Sequence, residues 1–323
     1  MRAGIVFFFC TALCAQEQPA PLELIGKILL PGVHGRLGHL AADIYRGRIF
    51  VAASEDGSVQ VLDIRHNAIL TPLSNLAEPH SVAYVNSSDR VFVSNAGDGT
   101  LHSYEGGTLT LIGSLRLGTD AGAIRVDAGR DRIYVGYGAG ALAVLDSSGN
   151  RLTDIPLSAH PESFQCAETQ PRIFVNLPDA RSIAVVDCDS GKLLADWPVK
   201  EAMDNFPMAL DEAHRRLFVA CRRPARLLVL NVDSGIVSAH LPAAGGADEL
   251  FYDPIHARLY ALSGEGHISV YEQETADRYS VAGEVPTVAG ARTGLFVPEW
   301  NRLFLAVREF GGHPAEIRVY QPR

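Results

Sequence analysis

Arg48-Ile49-Phe50-Val51 is the first of seven similar stretches, each an arginine followed by apolar residues. The other six begin at Arg90, Arg132, Arg172, Arg216, Arg258 and Arg302. By subtraction, the intervals between successive arginines are 42, 42, 40, 44, 42 and 44 residues. A sequence period of about 40–45 residues is typical of solenoids and β-propellers. The repeat therefore predicts seven similar structural units.

Each repeat contains four short strand patterns, A to D, rich in Val, Ile, Leu, Phe and Tyr. In the second repeat they cover residues 80–85, 90–95, 101–105 and 108–116. Turn formers separate them: Gly97-Asp98-Gly99 lies between strands B and C, and Gly106-Gly107 lies between C and D. Apolar runs bounded by Gly, Asp and Asn clusters indicate hairpins. No stretch has a sustained helical period, so we expect almost no helix.

The seventh repeat has patterns for strands A, B and C, whereas a further strand pattern occupies residues 24–30. We expect this N-terminal strand to complete the last blade, because closing the ring removes exposed strand edges. The predicted fold is all-β: a seven-bladed β-propeller of four-stranded antiparallel blades, closed by the N-terminal strand. We expect residues 16–323 to form it as one domain of 28 strands.

The first fifteen residues have the layout of a secretory signal peptide. Arg2 supplies a positive charge, residues 3–13 are almost all apolar, and Ala12-Leu13-Cys14-Ala15 precedes a polar stretch. Such a segment is too short to span a bilayer stably. We therefore predict cleavage after Ala15 and export to the periplasm or the extracellular space.

The charge of the chain argues against two classes of partner. Asp and Glu number 37 against 28 Lys and Arg, the formal net charge is −9, and no basic run occurs. Nucleic-acid-binding proteins carry a positive patch, and anionic membranes attract basic segments. We expect no nucleic-acid partner, no membrane span after the signal peptide, and a monomer.

Three of the five cysteines lie after the predicted cleavage site: Cys166, Cys188 and Cys221. An odd number leaves at least one free thiol. All three lie in or beside apolar strand patterns, which favours buried, unreactive thiols. A Cys166–Cys188 or a Cys188–Cys221 disulfide is the alternative.

An aspartate ends strand A in four repeats, five positions before the arginine that opens strand B. These residues are Asp43, Asp127, Asp211 and Asp253. The recurrence indicates a structural role, and we predict a charged pair between the aspartate and that arginine across the hairpin.

The second repeat carries the most specific motif, Arg90-Val91-Phe92-Val93-Ser94-Asn95-Ala96-Gly97-Asp98-Gly99-Thr100. It resembles the YVTN-type β-propeller repeats, in which a Tyr-Val-Thr-Asn core opens the second strand and a Gly-Asp-Gly-Thr-type turn follows. The third strands are similar to that family as well, for example Ile183-Ala184-Val185-Val186-Asp187. The resemblance covers nearly the whole mature chain. It implies export, a seven-bladed ring and binding roles more often than catalysis, and it assigns no functional residue here.

The repeat also predicts where a site would form. In a propeller the D–A and B–C connections gather on one face, here called the upper face, and strand A lines the central channel. The residues at the start of each strand A should therefore converge at the channel mouth. They are His39, His80, Asp120, Glu162, Asn205, Asp248, Glu249 and Arg292. His160, beside Glu162, and Arg222, Arg223 and Arg308 of the B–C loops belong to the same rim.

Three functions fit this polar mouth. The first is a binding module for a small ligand or a protein. The second is a lactonase-like hydrolase, with His39 or His80 as general base and Glu162 or Glu249 holding a metal or a water. The third is an accessory protein of a redox enzyme, without covalent c-type haem, because no Cys-x-x-Cys-His motif occurs. A divalent metal is an alternative occupant, but no local His or Cys spacing defines one. The arginines could pair with an anionic ligand or remain solvated loop charges.

Overall fold

The computed structural model describes residues 20–323, so the predicted signal peptide at residues 1–15 lies outside the described residues. Seven four-stranded antiparallel sheets form a ring, which confirms the predicted fold and its 28 strands. Each sheet is one blade, and the first strand of each blade contacts the first strand of the next one around the channel.

The strands of the first four blades follow the chain in order. Blade one contains β2 (Leu37–Asp43), β3 (Arg48–Ala53), β4 (Ser58–Asp63) and β5 (Ala68–Leu73). Blade two contains β6 (Pro79–Val85), β7 (Arg90–Asn95), β8 (Thr100–Glu105) and β9 (Leu111–Arg116). Blade three contains β10 (Ile124–Asp127), β11 (Arg132–Tyr137), β12 (Ala141–Asp146) and β13 (Arg151–Pro156). Blade four contains β14 (Phe164–Cys166), β15 (Arg172–Leu177), β16 (Ser182–Asp187) and β17 (Leu193–Pro198).

The last three blades complete the ring. Blade five contains β18 (Met203–Asp211), β19 (Arg216–Arg223), β20 (Ala225–Asn231) and β21 (Val237–Pro242). Blade six contains β22 (Ala247–Asp253), β23 (Arg258–Ser263), β24 (His267–Thr275) and β25 (Arg278–Pro286). Blade seven contains β26 (Thr293–Val297), β27 (Arg302–Val307), β28 (Ala315–Pro322) and β1 (Leu22–Leu30), with a 3-10 turn at Pro298–Trp300.

The N-terminal strand closes the ring as predicted. β1 pairs antiparallel with β28, with Leu30 opposite Ala315 and Leu22 opposite Pro322. Leu22 and Leu30 are both buried, so the strand contributes to the core as well as to the sheet. Closure removes the open edge of β28, which would otherwise be available for pairing with another chain.

The repeated motif is explained by packing between blades. Its third residue is Phe or Tyr, and all seven of these side chains are at most 1% exposed: Phe50, Phe92, Tyr134, Phe174, Phe218, Tyr260 and Phe304. Side chains alternate between the two faces of a strand. Phe50 therefore packs with residues of blade two, whereas Ile49 and Val51 pack with residues of blade seven. The core is thus a cycle of seven inter-blade layers.

The Gly-Asp-Gly-Thr turn of blade two shows why the motif needs these residue types. Asp98 accepts hydrogen bonds from the backbone N–H and the hydroxyl of Thr100, at 3.1 and 2.7 Å. Gly99 has φ of +68°, and a Cβ added there would lie 2.0 Å from the carbonyl oxygen of Gly118. Only glycine fits this close approach.

The strand A aspartates do not pair with the arginine that opens strand B, so that prediction is wrong. Asp43 accepts hydrogen bonds from the backbone N–H and the guanidinium of Arg46, three residues on, and so stabilises the A–B turn. Asp127, Asp211 and Asp253 bond the third residue after them in the same way. The strand B arginine points instead to the neighbouring blade: Arg48 donates to the carbonyl of Gly106 at 2.9 Å.

The same inter-blade link recurs around the ring. An arginine that opens strand B donates to the C–D turn of the next blade at Arg48, Arg90, Arg172 and Arg216, and Arg258 donates to the carbonyl of Arg323. Arg132 and Arg302 bond carbonyls of their own turns instead.

Cys166, Cys188 and Cys221 are free thiols, so the disulfide alternatives are not realised. Cys221 is buried and the other two are half-buried. Burial raises the pKa of Cys188 to about 11 and that of Cys221 to about 12, and it raises the pKa of Cys166 as well. Within residues 20–323, no helix is long and apolar enough to cross a membrane.

Candidate functional site

The ring brings seven of the eight predicted site residues to one cavity at the mouth of the channel. The cavity has a volume of about 270 Å³. The seven residues come from six blades and are His39, His80, Asp120, Glu162, Asp248, Glu249 and Arg292. A second cavity of about 550 Å³ adjoins the first and extends toward Arg308. The two cavities share Arg36, His39, His80, Asp248 and Arg292.

Asn205, the eighth predicted residue, does not line these cavities. It is buried, and its side-chain amide donates to Asn176 Oδ1 and to the carbonyl of Ser182, both at 3.0 Å. The strand register shifts between Asn205 and Met208, so Phe206 lines the cavity instead. Asn205 therefore belongs to the contact between blades four and five. A local bulge of this kind re-aims a side chain and cannot be predicted from repeat spacing.

His39 and Glu249 form a close pair in the floor of the cavity. His39 Nδ1 lies 2.6 Å from Glu249 Oε1, and the two side chains are 20% and 9% exposed. Burial by itself lowers the pKa of His39, but the charge and hydrogen bond of Glu249 outweigh it, so the pKa is raised above its usual value. The Glu249 carboxylate thus favours the protonated form of His39.

His80 lies beside this pair and behaves in the opposite way. The two imidazole rings are 5.0 Å apart between centroids and are tilted by 57°. Burial lowers the pKa of His80 to about 3, and the positive charges of His39, Arg36 and His160 lower it further. His80 is therefore a neutral imidazole at physiological pH.

Asp248 joins the two arginines at the centre of the rim. Arg222 and Arg292 both form ion pairs with its carboxylate, the second at 3.1 Å. The Arg222 guanidinium also lies over the ring of Phe206, 3.7 Å from its centroid. These contacts hold the three charged groups in place.

Glu162 lines the same cavity. Burial raises its pKa, and the nearby His160 offsets only part of that effect. His160 Nδ1 lies 2.6 Å from the carbonyl of Gly138, which makes this nitrogen the N–H donor, and Nε2 lies 3.8 Å from Asp120. Glu162 is thus a carboxyl group whose proton affinity is above normal.

Two arginines of the cavity were missed at the sequence level, Arg36 and Arg125. Arg125 lies within β10, whose pattern Ile-Arg-Val-Asp places a charge inside a short strand that faces the channel. This charged residue inside an apolar strand pattern could have indicated that Arg125 lines the cavity. Arg36 precedes β2 in an irregular segment and carries no such signal. Neither arginine forms an ion pair with any residue between 20 and 323, in contrast to Arg222 and Arg292.

Across the described part of the chain, no group of three or more His, Cys, Asp and Glu side chains is arranged to hold a metal ion. His39 and Glu249 bond each other, and His160 bonds a backbone carbonyl.

No protein-family model matches this sequence, and no curated protein is detectably similar to it. Solved structures are similar in fold. A chain of the crystal structure of the mitotic checkpoint complex superposes with a TM-score of 0.80 and 13% identity, covering 99% of both chains. A chain of Kuenenia stuttgartiensis hydrazine synthase gives 0.75 and 15%, covering 89% of this chain and 97% of the other.

Likeness at these identities is evidence of fold and not of activity. The protein is therefore a seven-bladed β-propeller with a polar cavity at the mouth of its channel. The YVTN-type resemblance stays a prediction.

Proposed function

We propose that this protein is an exported binding module that takes a small polar ligand into the cavity at its channel mouth. The observation that carries the proposal is the cavity itself, where charged side chains from six blades meet. Concave sites with a few convergent polar groups and perturbed pKa values are the usual place for ligands. Charges buried at a channel mouth add little to stability, because their desolvation offsets their attraction.

The exported location rests on the pattern of residues 1–15 alone. Membership of the YVTN-type family is proposed on the same footing, from the motif that ends in Gly97-Asp98-Gly99-Thr100. For export, the test is expression of the full chain followed by N-terminal sequencing of the protein in the periplasmic fraction. We expect a mature N-terminus at Gln16. A full-length chain retained in the cytoplasm contradicts the proposal.

Ligand binding can be tested with a variant that fills the cavity. Ala96 lines it and its side chain makes no polar contact, so Ala96→Trp should occupy the space. Ala128 is exposed in the A–B turn of blade three, away from the cavity lining, and Ala128→Trp is the matched control. The measurement is thermal unfolding with a panel of amino acids, organic acids, sugars and lactones.

At least one panel member should raise the melting temperature of the wild type and of Ala128→Trp, but not that of Ala96→Trp. A ligand at about 100 times its Kd adds about 2.7 kcal/mol to the stability of the folded state. The proposal is contradicted if no member raises the melting temperature, or if Ala96→Trp responds like the wild type.

The His39–Glu249 dyad favours a second candidate, a lactonase-like hydrolase. A histidine oriented by a carboxylate is a common general base, and Glu162 is a carboxyl group with raised pKa that could act as a proton donor. Turnover of a lactone by the wild type, reduced at least about 100-fold by His39→Gln, would support it. Equal rates in the two proteins, or no turnover of any lactone, would contradict it.

The redox-accessory alternative has no comparable observation. The similar chain in hydrazine synthase is its nearest support, and at 15% identity that likeness concerns the fold alone. We do not propose it.

A further inference from the structure

The charges of the cavity do not cancel one another locally. Of the four carboxylates that line it, Asp248 is bound by Arg222 and Arg292, and Glu249 is bound by His39. Arg36 and Arg125 line the same cavity and form no ion pair within residues 20–323. Two guanidinium groups are thus available to a ligand.

Of these two arginines, Arg125 gives the stronger evidence for a bound anion, because its side chain is half-buried. It lies where the cavity meets the central channel and lines both. One guanidinium nitrogen donates to the carbonyl of its own neighbour Ile124 at 2.9 Å, and the group lies 5.9 Å from the centroid of the Phe164 ring. A guanidinium has five N–H donors, so most of them are left for another partner. Partial burial of an uncompensated charge is unfavourable, and a bound anion would remove that penalty.

The surroundings of His80 also favour a bound anion. Burial, and after it the nearby His39, Arg36 and His160, lower the pKa of His80 and so keep the imidazole neutral. A neutral imidazole can still donate one hydrogen bond. Gly122 lies beside His160 and His80. A Cβ at this position would be 3.9 Å from His160 Nε2 and 4.0 Å from His80 Nδ1. The absence of a side chain at this position leaves open space beside both rings.

From this arrangement we infer that the cavity binds a small organic anion, with its carboxylate or phosphate group held by Arg125 and Arg36 and hydrogen-bonded by His80. The inference rests on the proposed function and specifies its ligand class. The cavity volume of about 270 Å³ has room for a small metabolite. Glu162 and Asp120 line the same space, so the remainder of the ligand is uncharged or cationic.

Three probes separate the sources of this chemistry: succinate for a carboxylate, inorganic phosphate for a phosphate, and erythritol as a neutral control. Each is titrated to about 100 mM, above the millimolar Kd expected of so small a ligand. The readout is the histidine ring resonances of the full mature chain in NMR. A bound anion should shift the His80 resonance in a saturable way and raise the pH at which His80 titrates.

The variants are Arg125→Gln, Arg125→Lys and the control Arg116→Gln, which changes an exposed arginine on the outer strand of blade two. We expect Arg125→Gln to weaken binding of succinate or phosphate at least about tenfold, as loss of a charge-assisted hydrogen bond does. Arg125→Lys should lie between it and the wild type, and Arg116→Gln should leave the affinity unchanged. Preference for one of the two anions identifies the ligand group.

The inference is overturned if neither anion shifts the His80 resonance, or if Arg125→Gln binds as tightly as the wild type. The panel experiment with Ala96→Trp then tells the two failures apart. A panel ligand excluded by Ala96→Trp would leave the proposed function standing and overturn the anion alone. No cavity ligand of any kind would overturn both.

Discussion

His39 Nδ1 lies 2.6 Å from Glu249 Oε1, although 210 positions separate the two residues in the chain. His39 belongs to the first strand of blade one and Glu249 to the first strand of blade six. Their contact depends on closure of the ring, and closure depends on β1 pairing with β28. The site and the N-terminal strand are therefore coupled.

Replacing Glu249 by Gln should lower the pKa of His39, because the carboxylate that favours the imidazolium is lost. A raised histidine pKa stabilises the folded state below the unfolded pKa of 6.5, and the effect disappears as pH rises through the folded pKa. Glu249→Gln should thus cost about 1–3 kcal/mol at pH 6 and less at pH 9. The measurements are histidine NMR titration and urea unfolding.

The control for this change is Asp63→Asn in an exposed histidine–carboxylate pair. His66 Nδ1 lies 2.9 Å from Asp63 Oδ2, and the His66 side chain is 77% exposed. We expect a smaller loss there than for Glu249→Gln, because exposed ion pairs contribute little to stability. Equal losses for the two variants would mean that burial of the His39–Glu249 pair has no energetic consequence.

His80 should make the protein sensitive to acid. Its folded pKa is lowered to about 3, so between pH 6.5 and 3 the unfolded chain binds a proton that the folded chain does not. The free energy of unfolding therefore decreases as the pH is lowered through that window. Between pH 7.5 and 4.5, His80→Gln should lose about 2–3 kcal/mol less than the wild type.

Exposed His313 supplies the control, since His313→Gln should lose as much stability as the wild type over the same pH range. Chemical denaturation at several pH values measures all three proteins. A wild type and His80→Gln with parallel pH profiles would show that His80 takes up its proton in the folded state.

Ring closure can be tested with two adjacent leucines of β1. Leu30 is 1% exposed and packs in the layer between blades seven and one, whereas Leu29 is 52% exposed. Leu30→Ala should lower the free energy of unfolding by about 2–4 kcal/mol, because it leaves a cavity in that layer. Leu29→Ala should change it by less than about 0.5 kcal/mol. Similar losses at both positions would mean that β1 does not pack in solution as it does here.

Arginines that open strand B should stabilise the ring more when they bond the next blade than when they bond only their own turn. Arg216 is 12% exposed, pairs with both oxygens of Asp277 at 2.9 Å and donates to the carbonyl of Ala276. Arg216→Ala should cost about 1–2 kcal/mol, a figure reduced because Asp277 is 55% exposed. Arg132 bonds only carbonyls of its own turn among the described residues, so Arg132→Ala should cost less. Equal costs would assign the arginine to the turn and not to the blade contact.

The fold could be predicted because each blade repeats one local pattern. Alternation of apolar residues, turn formers and a constant spacing are local properties, and seven copies of Arg-apolar-Phe/Tyr reinforce one another. The candidate site followed in outline, since repeat position determines which residues reach the channel mouth. The repeat spacing wrongly placed Asn205 at the mouth, because a strand bulge turns its side chain inward. It also missed Arg36, which lines the cavity from an irregular segment.

The order of the strands, their number and the closing role of residues 24–30 thus follow from the linear sequence, because hydrophobic alternation and turn chemistry act between near neighbours. Which charges compensate one another depends on the closed ring. The pairing of His39 with Glu249 and the sharing of Asp248 by two arginines arise between blades distant in sequence, and so does the lack of a counterion for Arg125 among residues 20–323. Electrostatic energy depends on distance in space and on burial, neither of which is encoded by position along the chain.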